Sequence, residues 1–157
     1  MSSELIQTAL KTATETREIA FEKDAVKKTG EVFKRVFPGK KVLVVADGNT
    51  FEACGEEVVK SLADAGVEAV AEPYVFPGTP TLYAGYENVE ILRDYIEPLG
   101  DDVVVCSVAA GTLNDIAKLA SGELGREYMN VCTAASVDGY ASFGASIARD
   151  GFKITRE

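Results

Sequence analysis

Histidine is absent from this chain of 157 residues. Its absence excludes acid–base catalysis by an imidazole, and metal ligation by histidine, within the chain. A run of about 18 apolar residues is absent as well, so no transmembrane helix is expected. The first residues, MSSELIQTALKTATETRE, lack the apolar stretch of a signal peptide. Together these absences predict a cytoplasmic protein with no membrane partner.

Basic residues are few. The 16 lysines and arginines compare with 25 aspartates and glutamates, which gives a net charge of −9. Because binding to a nucleic acid requires a basic face that neutralises phosphates, no such partner is expected. A small anion can still bind, since the backbone amides that hold it do not count toward the net charge.

Cysteine is sparse too. The three cysteines, Cys54, Cys106 and Cys132, are odd in number and lie far apart in apolar stretches. This arrangement favours buried, reduced thiols over a redox or metal-binding role.

Predicted strands and helices alternate along the chain, and hydrophobic residues make up 46% of it, enough for the core of one domain. Strands are predicted at 18–21, 41–47, 67–74, 102–107 and 128–132, with a loop over 75–86. Helices are predicted at 23–36, 49–66, 88–98 and 110–121. The pattern indicates an α/β fold with a mostly parallel sheet flanked by helices. Residues 1–16 are expected to form an N-terminal helix or arm, and 17–157 a single domain.

The first segment with chemical potential is DGNT (47–50), directly after a predicted strand. Asp47 at the carboxyl end of that strand could accept hydrogen bonds from a ribose diol. The alternative is a tight turn, in which Asn49 caps the next helix and Glu52 completes a capping box.

The second segment is SVAAGTLNDIAK (107–118), which joins a buried strand to a helix. Thr112 is expected to be the N-cap, with Asp115 three residues later. Exposed amides and the helix dipole make this turn a candidate phosphate seat, although an ordinary turn fits the spacing equally well.

The third segment is CTAASVDGYAS (132–142), which follows the fourth strong strand. Its small hydroxyl residues, Thr133, Ser136 and Ser142, could line a polar pocket, and Asp138 could bind a ligand hydroxyl. A surface loop capped by its own side chains is the alternative.

The sequences GTLNDIAK (111–118) and TAASVDGYAS (133–142), in this order, resemble the sn-glycerol-1-phosphate dehydrogenases. That family belongs to a wider group with dehydroquinate synthase, glycerol dehydrogenase and the iron-dependent alcohol dehydrogenases. The resemblance extends back through 42–50 and covers the N-terminal half of the family. It implies a Rossmann-like dinucleotide-binding domain without the family's helical C-terminal domain.

The resemblance also assigns roles to residues. It implies that the chain binds NAD or NADP, with Asp47 near the ribose, and that Asp138 contacts glycerol phosphate. The remaining cofactor contacts that it implies are Ala109, Ala110, Gly111, Thr112, Leu113, Thr133, Ala134, Ala135, Ser136 and Ser142. Because Asp47 would repel a 2′-phosphate, NAD is favoured over NADP. The implied chemistry is hydride transfer between the nicotinamide and dihydroxyacetone phosphate.

Two departures from the family pattern bear on activity. The family's turn reads Gly-x-Gly-Ser-Gly-Thr, whereas this chain has Ser107, Ala109 and Ala110 in place of Gly, Gly and Ser. The two added side-chain carbons are expected to crowd a diphosphate. The family's zinc, nickel or iron, held by an acidic residue and two histidines in the C-terminal domain, is not expected in this chain.

Two functions therefore remain open. One is the nucleotide-binding part of an enzyme, completed by a separate helical catalytic domain. The other is a stand-alone, non-catalytic relative that binds nucleotides or anions weakly or interacts with proteins. A homodimer is a further option, since an apolar face left uncovered would favour association.

Overall fold

The computed structural model describes residues 3–12, 16–20, 23–79, 81–133, 145–149 and 152–156. The main sheet consists of four parallel strands: β1 (Lys41–Asp47), β2 (Tyr74–Phe76), β3 (Val103–Ala109) and β4 (Tyr128–Cys132). Their order is β2-β1-β3-β4. A separate antiparallel hairpin pairs β5 (Ala145–Arg149) with β6 (Phe152–Arg156). The predicted α/β architecture with a parallel sheet is confirmed.

Helices precede and connect these strands. The helices are α1 (Ser3–Thr12), α2 (Thr29–Val36), α3 (Gly48–Thr50), α4 (Glu56–Asp64), α5 (Tyr86–Ile96) and α6 (Gly111–Glu123). A π-helical segment, Phe51–Gly55, joins α3 to α4. No helix in the described part of the chain is long and apolar enough to span a bilayer.

The sheet is covered on both faces, which explains the continuous apolar runs in β1 and β3. Leu43 and Val45 of β1 pack on one face with residues of α5 and α6, including Leu92 and Ile116. On the other face, Val42, Val44 and Ala46 pack with α2 and α4, through Phe33, Val58 and Leu62. Alternate residues of one strand therefore belong to two separate cores.

The strand predicted at 67–74 is mostly wrong. The chain pairs with β1 around Ala69, through hydrogen bonds that join Val42 to Glu68 and Val70. It then leaves the sheet and returns only at Tyr74 as β2. Pro73, which has no N–H to donate to a ladder, lies at the point of return. The loop predicted from residue 75 consequently begins only after Phe76, the last residue of β2. Helix α5 begins at Tyr86, the last residue of that predicted loop.

The N-terminal predictions also need correction. Glu18–Ala20 is irregular rather than a strand, and Phe21 lies outside the described residues. Ion pairs anchor this segment: Arg17 contacts Glu127, and Glu18 contacts Arg35. The helix predicted from residue 23 begins instead as a 3₁₀ turn, Ala25–Lys28, because Asp24 has a left-handed backbone with φ of 57°. Helix α1, Ser3–Thr12, lies within the stretch 1–16 that was predicted as an N-terminal helix or arm.

The cysteines differ from one another in exposure. Cys106 is buried and Cys54 is half-buried, but Cys132 is exposed. The expectation of buried thiols is therefore wrong for Cys132, which is the last residue of β4 at the edge of the sheet.

Candidate functional site

The strand order reverses direction at the centre of the sheet. β2 lies on one side of β1 and β3 lies on the other, so the connections after β1 and β3 diverge. In open parallel sheets, ligands bind in the crevice beyond the carboxyl ends of strands at such a switch point. The register pairs Ala46 with Val108, and Ala109 with Cys132. Asp47 and the turn after Ala109 therefore share this carboxyl edge.

Asp47 is the N-cap of α3. Its carboxylate oxygen Oδ1 accepts a hydrogen bond from the Thr50 amide at 2.8 Å, and the Asp47 amide donates to Thr50 Oγ1 at 3.0 Å. This reciprocal capping box replaces the one predicted for Asn49 and Glu52, both of which are exposed. The cap uses Oδ1, and a carboxylate presents a second oxygen that can accept a ligand hydroxyl.

Two glycines bring the turn after β1 close to the loop after β2. A Cβ placed on Gly48 would lie 3.2 Å from the backbone nitrogen of Gly78. The loop that follows β2 therefore packs closely against the turn that follows β1. The role of Gly78 has no signal in the sequence, because only the folded chain brings the two glycines together.

The turn after β3 leads directly into α6. The helix begins at Gly111 with Ala110 as N-cap, and no side chain in the described part of the chain caps it. Thr112, predicted as the N-cap, lies inside the first turn. The first helical hydrogen bond runs from the Asn114 amide to the Ala110 carbonyl at 3.0 Å. The amides of Gly111, Thr112 and Leu113 therefore have no acceptor within the helix, and they lie at the positive end of its dipole.

The two alanines at this turn differ in burial. The Ala109 methyl group is fully buried in the core with Val45 and Leu113. Ala110 is half-buried, and its φ of −88° and ψ of −165° are ordinary extended values that alanine adopts without strain. Of the two alanines, Ala110 is the more exposed at this turn.

Thr133 lies beside the same turn. Its amide donates to the Ala109 carbonyl at 3.2 Å, directly after β4. The start of the third predicted segment is thus adjacent to the start of α6. Ala134, Ala135, Ser136, Asp138 and Ser142 lie outside the described residues, so their roles stay predictions.

Residues 16–20 do not cover the carboxyl edge of the sheet. Arg17 reaches Glu127, which directly precedes β4, and also the Val36 carbonyl at 3.3 Å. Both contacts lie toward the amino edge of the sheet. Residues 16–20 therefore run along the side opposite the candidate site.

A polar cluster between the sheet and α6 was not predicted. The Ser107 hydroxyl donates to Oδ1 of Asn130, whose Nδ2 in turn donates to the Cys132 sulfur at 3.5 Å. The Tyr128 hydroxyl donates to Oδ1 of Asn114 at 2.9 Å. Burial raises the pKa of the Tyr128 hydroxyl, and the Asp115 carboxylate adds to this, so the group remains a proton donor. In the sequence, only the alternation of Tyr128, Asn130 and Cys132 along β4 indicates that these polar side chains share one face of the sheet.

The described residues offer no cluster of three or more histidine, cysteine, aspartate or glutamate side chains that could hold a metal ion.

The parallel sheet and the turns at its switch point define a Rossmann-like α/β domain. A family model described as iron-containing alcohol dehydrogenase matches residues 20–157. The chain belongs to the iron-containing alcohol dehydrogenase family and corresponds to its N-terminal part.

Individual relatives agree with this assignment. A glycerol-1-phosphate dehydrogenase [NAD(P)+] of Halalkalibacterium halodurans is 35% identical over 114 residues, which cover 73% of this chain and 28% of the relative. A protein of the same name from Methanobrevibacter smithii is 30% identical over 134 residues, covering 83% of this chain and 35% of the relative. The chain thus spans about a third of the length of these relatives.

Solved structures support the fold. An alcohol dehydrogenase from Oenococcus oeni has a TM-score of 0.66 at 18% identity, covering 83% of this chain and 38% of the other. A glycerol dehydrogenase from Schizosaccharomyces pombe has a TM-score of 0.60 at 22% identity, covering 79% of this chain and 30% of the other.

Proposed function

We propose that this chain is the dinucleotide-binding part of an NAD(P)-dependent dehydrogenase acting on glycerol 1-phosphate and dihydroxyacetone phosphate. The observation that supports this most directly is the start of α6 at the switch point of the sheet. There, the amides of Gly111, Thr112 and Leu113 lie at the carboxyl edge, and no described side chain caps them. Such a helix start can bind the diphosphate of a dinucleotide despite a net charge of −9.

The neighbouring groups suit the rest of the cofactor. The carboxylate of Asp47 lies at the end of the adjacent strand and can accept hydrogen bonds from a ribose diol. Its negative charge would repel a 2′-phosphate, which favours NAD over NADP. Thr133, Ser136 and Ser142 are proposed to contact the cofactor toward its nicotinamide, with Asp138 at the substrate. The cofactor supplies the hydride, and this chain binds and orients it.

We propose that catalysis needs a second, helical domain. The chain has no histidine and spans about a third of its named dehydrogenase relatives. An alternative is a non-catalytic relative with weak nucleotide or anion binding, favoured by the loss of the family hydroxyl at position 110. The two proposals differ in whether a helical domain, added in trans, restores turnover.

Calorimetry with NAD tests the shared part of both proposals. We expect a dissociation constant of about 0.1 mM or weaker, equivalent to roughly −5.5 kcal/mol, because the family hydroxyl at position 110 is lost. In a chemical-shift titration with inorganic pyrophosphate, the amides of Gly111 and Thr112 should move most. If those amides do not move, the diphosphate seat is refuted.

A substitution sharpens this test. Gly111→Pro removes one amide donor, yet proline is well tolerated at the first position of a helix, and the extended backbone of Ala110 suits a following proline. Gly111→Ala is the matched control, since it adds a Cβ but retains the N–H. Pyrophosphate affinity should fall about tenfold in the proline variant relative to the alanine variant, as expected for one charge-assisted hydrogen bond. Equal affinities would show that this amide does not bind the anion.

A further inference from the structure

The first turn of α6 is attached to the rest of the domain at two neighbouring residues. Leu113 is 1% exposed and packs in the apolar core. Asn114, also 1% exposed, accepts the hydrogen bond of 2.9 Å from the Tyr128 hydroxyl on β4. One attachment is apolar and the other is polar, and they have different physical consequences.

Asn114 is a costly residue at this position. Its Nδ2 is buried and has no hydrogen-bond partner among the described residues. Exchanging the amide oxygen and nitrogen of Asn114 does not solve this. Nδ2 would then face the Tyr128 hydroxyl, and Oδ1 would be the buried atom without a partner. A buried polar atom without a partner lowers stability, so a leucine of similar size would serve the core better. The demands of folding therefore do not explain an asparagine here.

The Asn114–Tyr128 hydrogen bond fixes the rotation of the first turn of α6, which the core contact of Leu113 does not. Packing of Leu113 is non-directional and tolerates small rotations of the helix about its axis. A hydrogen bond has a narrow preferred geometry, so it sets the rotation of the first turn relative to β4. That rotation determines where the amides of Gly111, Thr112 and Leu113 point.

We propose that Asn114 and Tyr128 are positioning residues for the anion seat at the start of α6. They hold the three free amides toward the carboxyl edge without touching the ligand themselves. This inference rests on the proposed diphosphate seat. It assigns a binding role to a buried pair that contributes little to stability.

The double variant Asn114→Leu/Tyr128→Phe tests the proposal with inorganic pyrophosphate as the probe. It removes both polar partners and leaves apolar side chains of similar shape, which is nearly neutral or stabilising. We expect an unchanged or higher unfolding midpoint and an affinity for pyrophosphate about fivefold weaker, as for the loss of one directional hydrogen bond. In the ligand-free protein, the amide shifts of Gly111 and Thr112 should also differ from wild type. If the double variant does not fold, Tyr128→Phe alone tests the loss of this hydrogen bond through pyrophosphate affinity; it leaves Asn114 Oδ1 without its donor, so its unfolding midpoint should fall.

The matched control is Tyr86→Phe. It removes the hydrogen bond of 2.7 Å from the Tyr86 hydroxyl to Glu123, at the other end of α6, and should leave pyrophosphate affinity unchanged. If wild type and the Asn114–Tyr128 variants bind pyrophosphate equally, the positioning role is refuted while the seat stands. If the control weakens binding as much as those variants do, the effect reflects general loosening of α6 and the positioning role is again refuted. If wild type does not bind pyrophosphate at all, the proposed seat fails and the inference fails with it.

Discussion

At the scale of single residues, Gly30 marks the closest approach of two helices. A Cβ at this position would lie 2.1 Å from the backbone oxygen of Ser61 and 2.8 Å from the Cβ of Ala65. The Gly30 amide also donates to the Ser61 hydroxyl at 3.0 Å, and that hydroxyl donates to the Lys27 carbonyl at 2.9 Å. α2 therefore lies against α4 backbone to backbone.

We expect Gly30→Ala to lower the free energy of unfolding by about 1–3 kcal/mol, because the added methyl meets backbone that cannot move aside alone. Chemical denaturation of the purified variant measures this. Gly122→Ala in α6 is the control, since a Cβ there meets nothing within 4 Å. It should raise stability by up to about 0.5–1 kcal/mol, the usual gain of alanine over glycine in a helix. Equal stabilities in the two variants would contradict the described helix contact.

The two alanines of the turn after β3 can each be replaced by the residue of the family pattern. Ala109→Gly removes a buried methyl from the core and adds backbone freedom, so it should cost about 1–2 kcal/mol of stability without tightening binding. Ala110→Ser restores the hydroxyl of the family pattern at a half-buried position and should tighten pyrophosphate binding at little cost. Denaturation and calorimetry on both variants separate the effects. Tighter binding by Ala109→Gly would mean that its methyl faces the ligand after all.

At the level of secondary-structure elements, Asp47 has two roles: it is the N-cap of α3, and it is the proposed contact to the ribose. Asp47→Asn retains a good N-cap, whereas Asp47→Ala loses it at a cost of about 1 kcal/mol. Both substitutions remove the charge, so both should reduce the preference for NAD over NADP. Only the alanine variant should be measurably less stable. A preference unchanged in both variants would remove Asp47 from the proposed ribose site.

At the scale of the whole molecule, the isolated chain should not reduce dihydroxyacetone phosphate with NADH or NADPH, even with added zinc or nickel. The reason is that it has no histidine and that its described residues present no metal-binding cluster. Steady-state absorbance at saturating cofactor measures this against a no-protein control. Turnover clearly above that control, and abolished by Asp138→Ala, would overturn the expectation.

Much of the architecture could be predicted from local patterns. The apolar runs of β1, β3 and β4 were found within a few residues, and the buried face of α5, with Val89, Leu92 and Ile96, was found from its helical spacing. The position of Asp47 and Gly111 at one edge followed from the same pattern, since all parallel strands end at the same side. β2 was misplaced because proline and a single bridge, rather than hydropathy, determine where pairing with β1 resumes.

The class of fold, the family resemblance and the turns that could bind a ligand all follow from the amino-acid sequence, because these depend on residues close together in the chain. Tertiary structure alone decided that Ala109 faces the core, that Asp47 rather than Asn49 is the cap, and that Cys132 is exposed. It also decided that Asn114 meets Tyr128. The direction of a side chain at the end of a strand, and the partner of a buried polar group, depend on contacts between distant segments, which local periodicity does not encode.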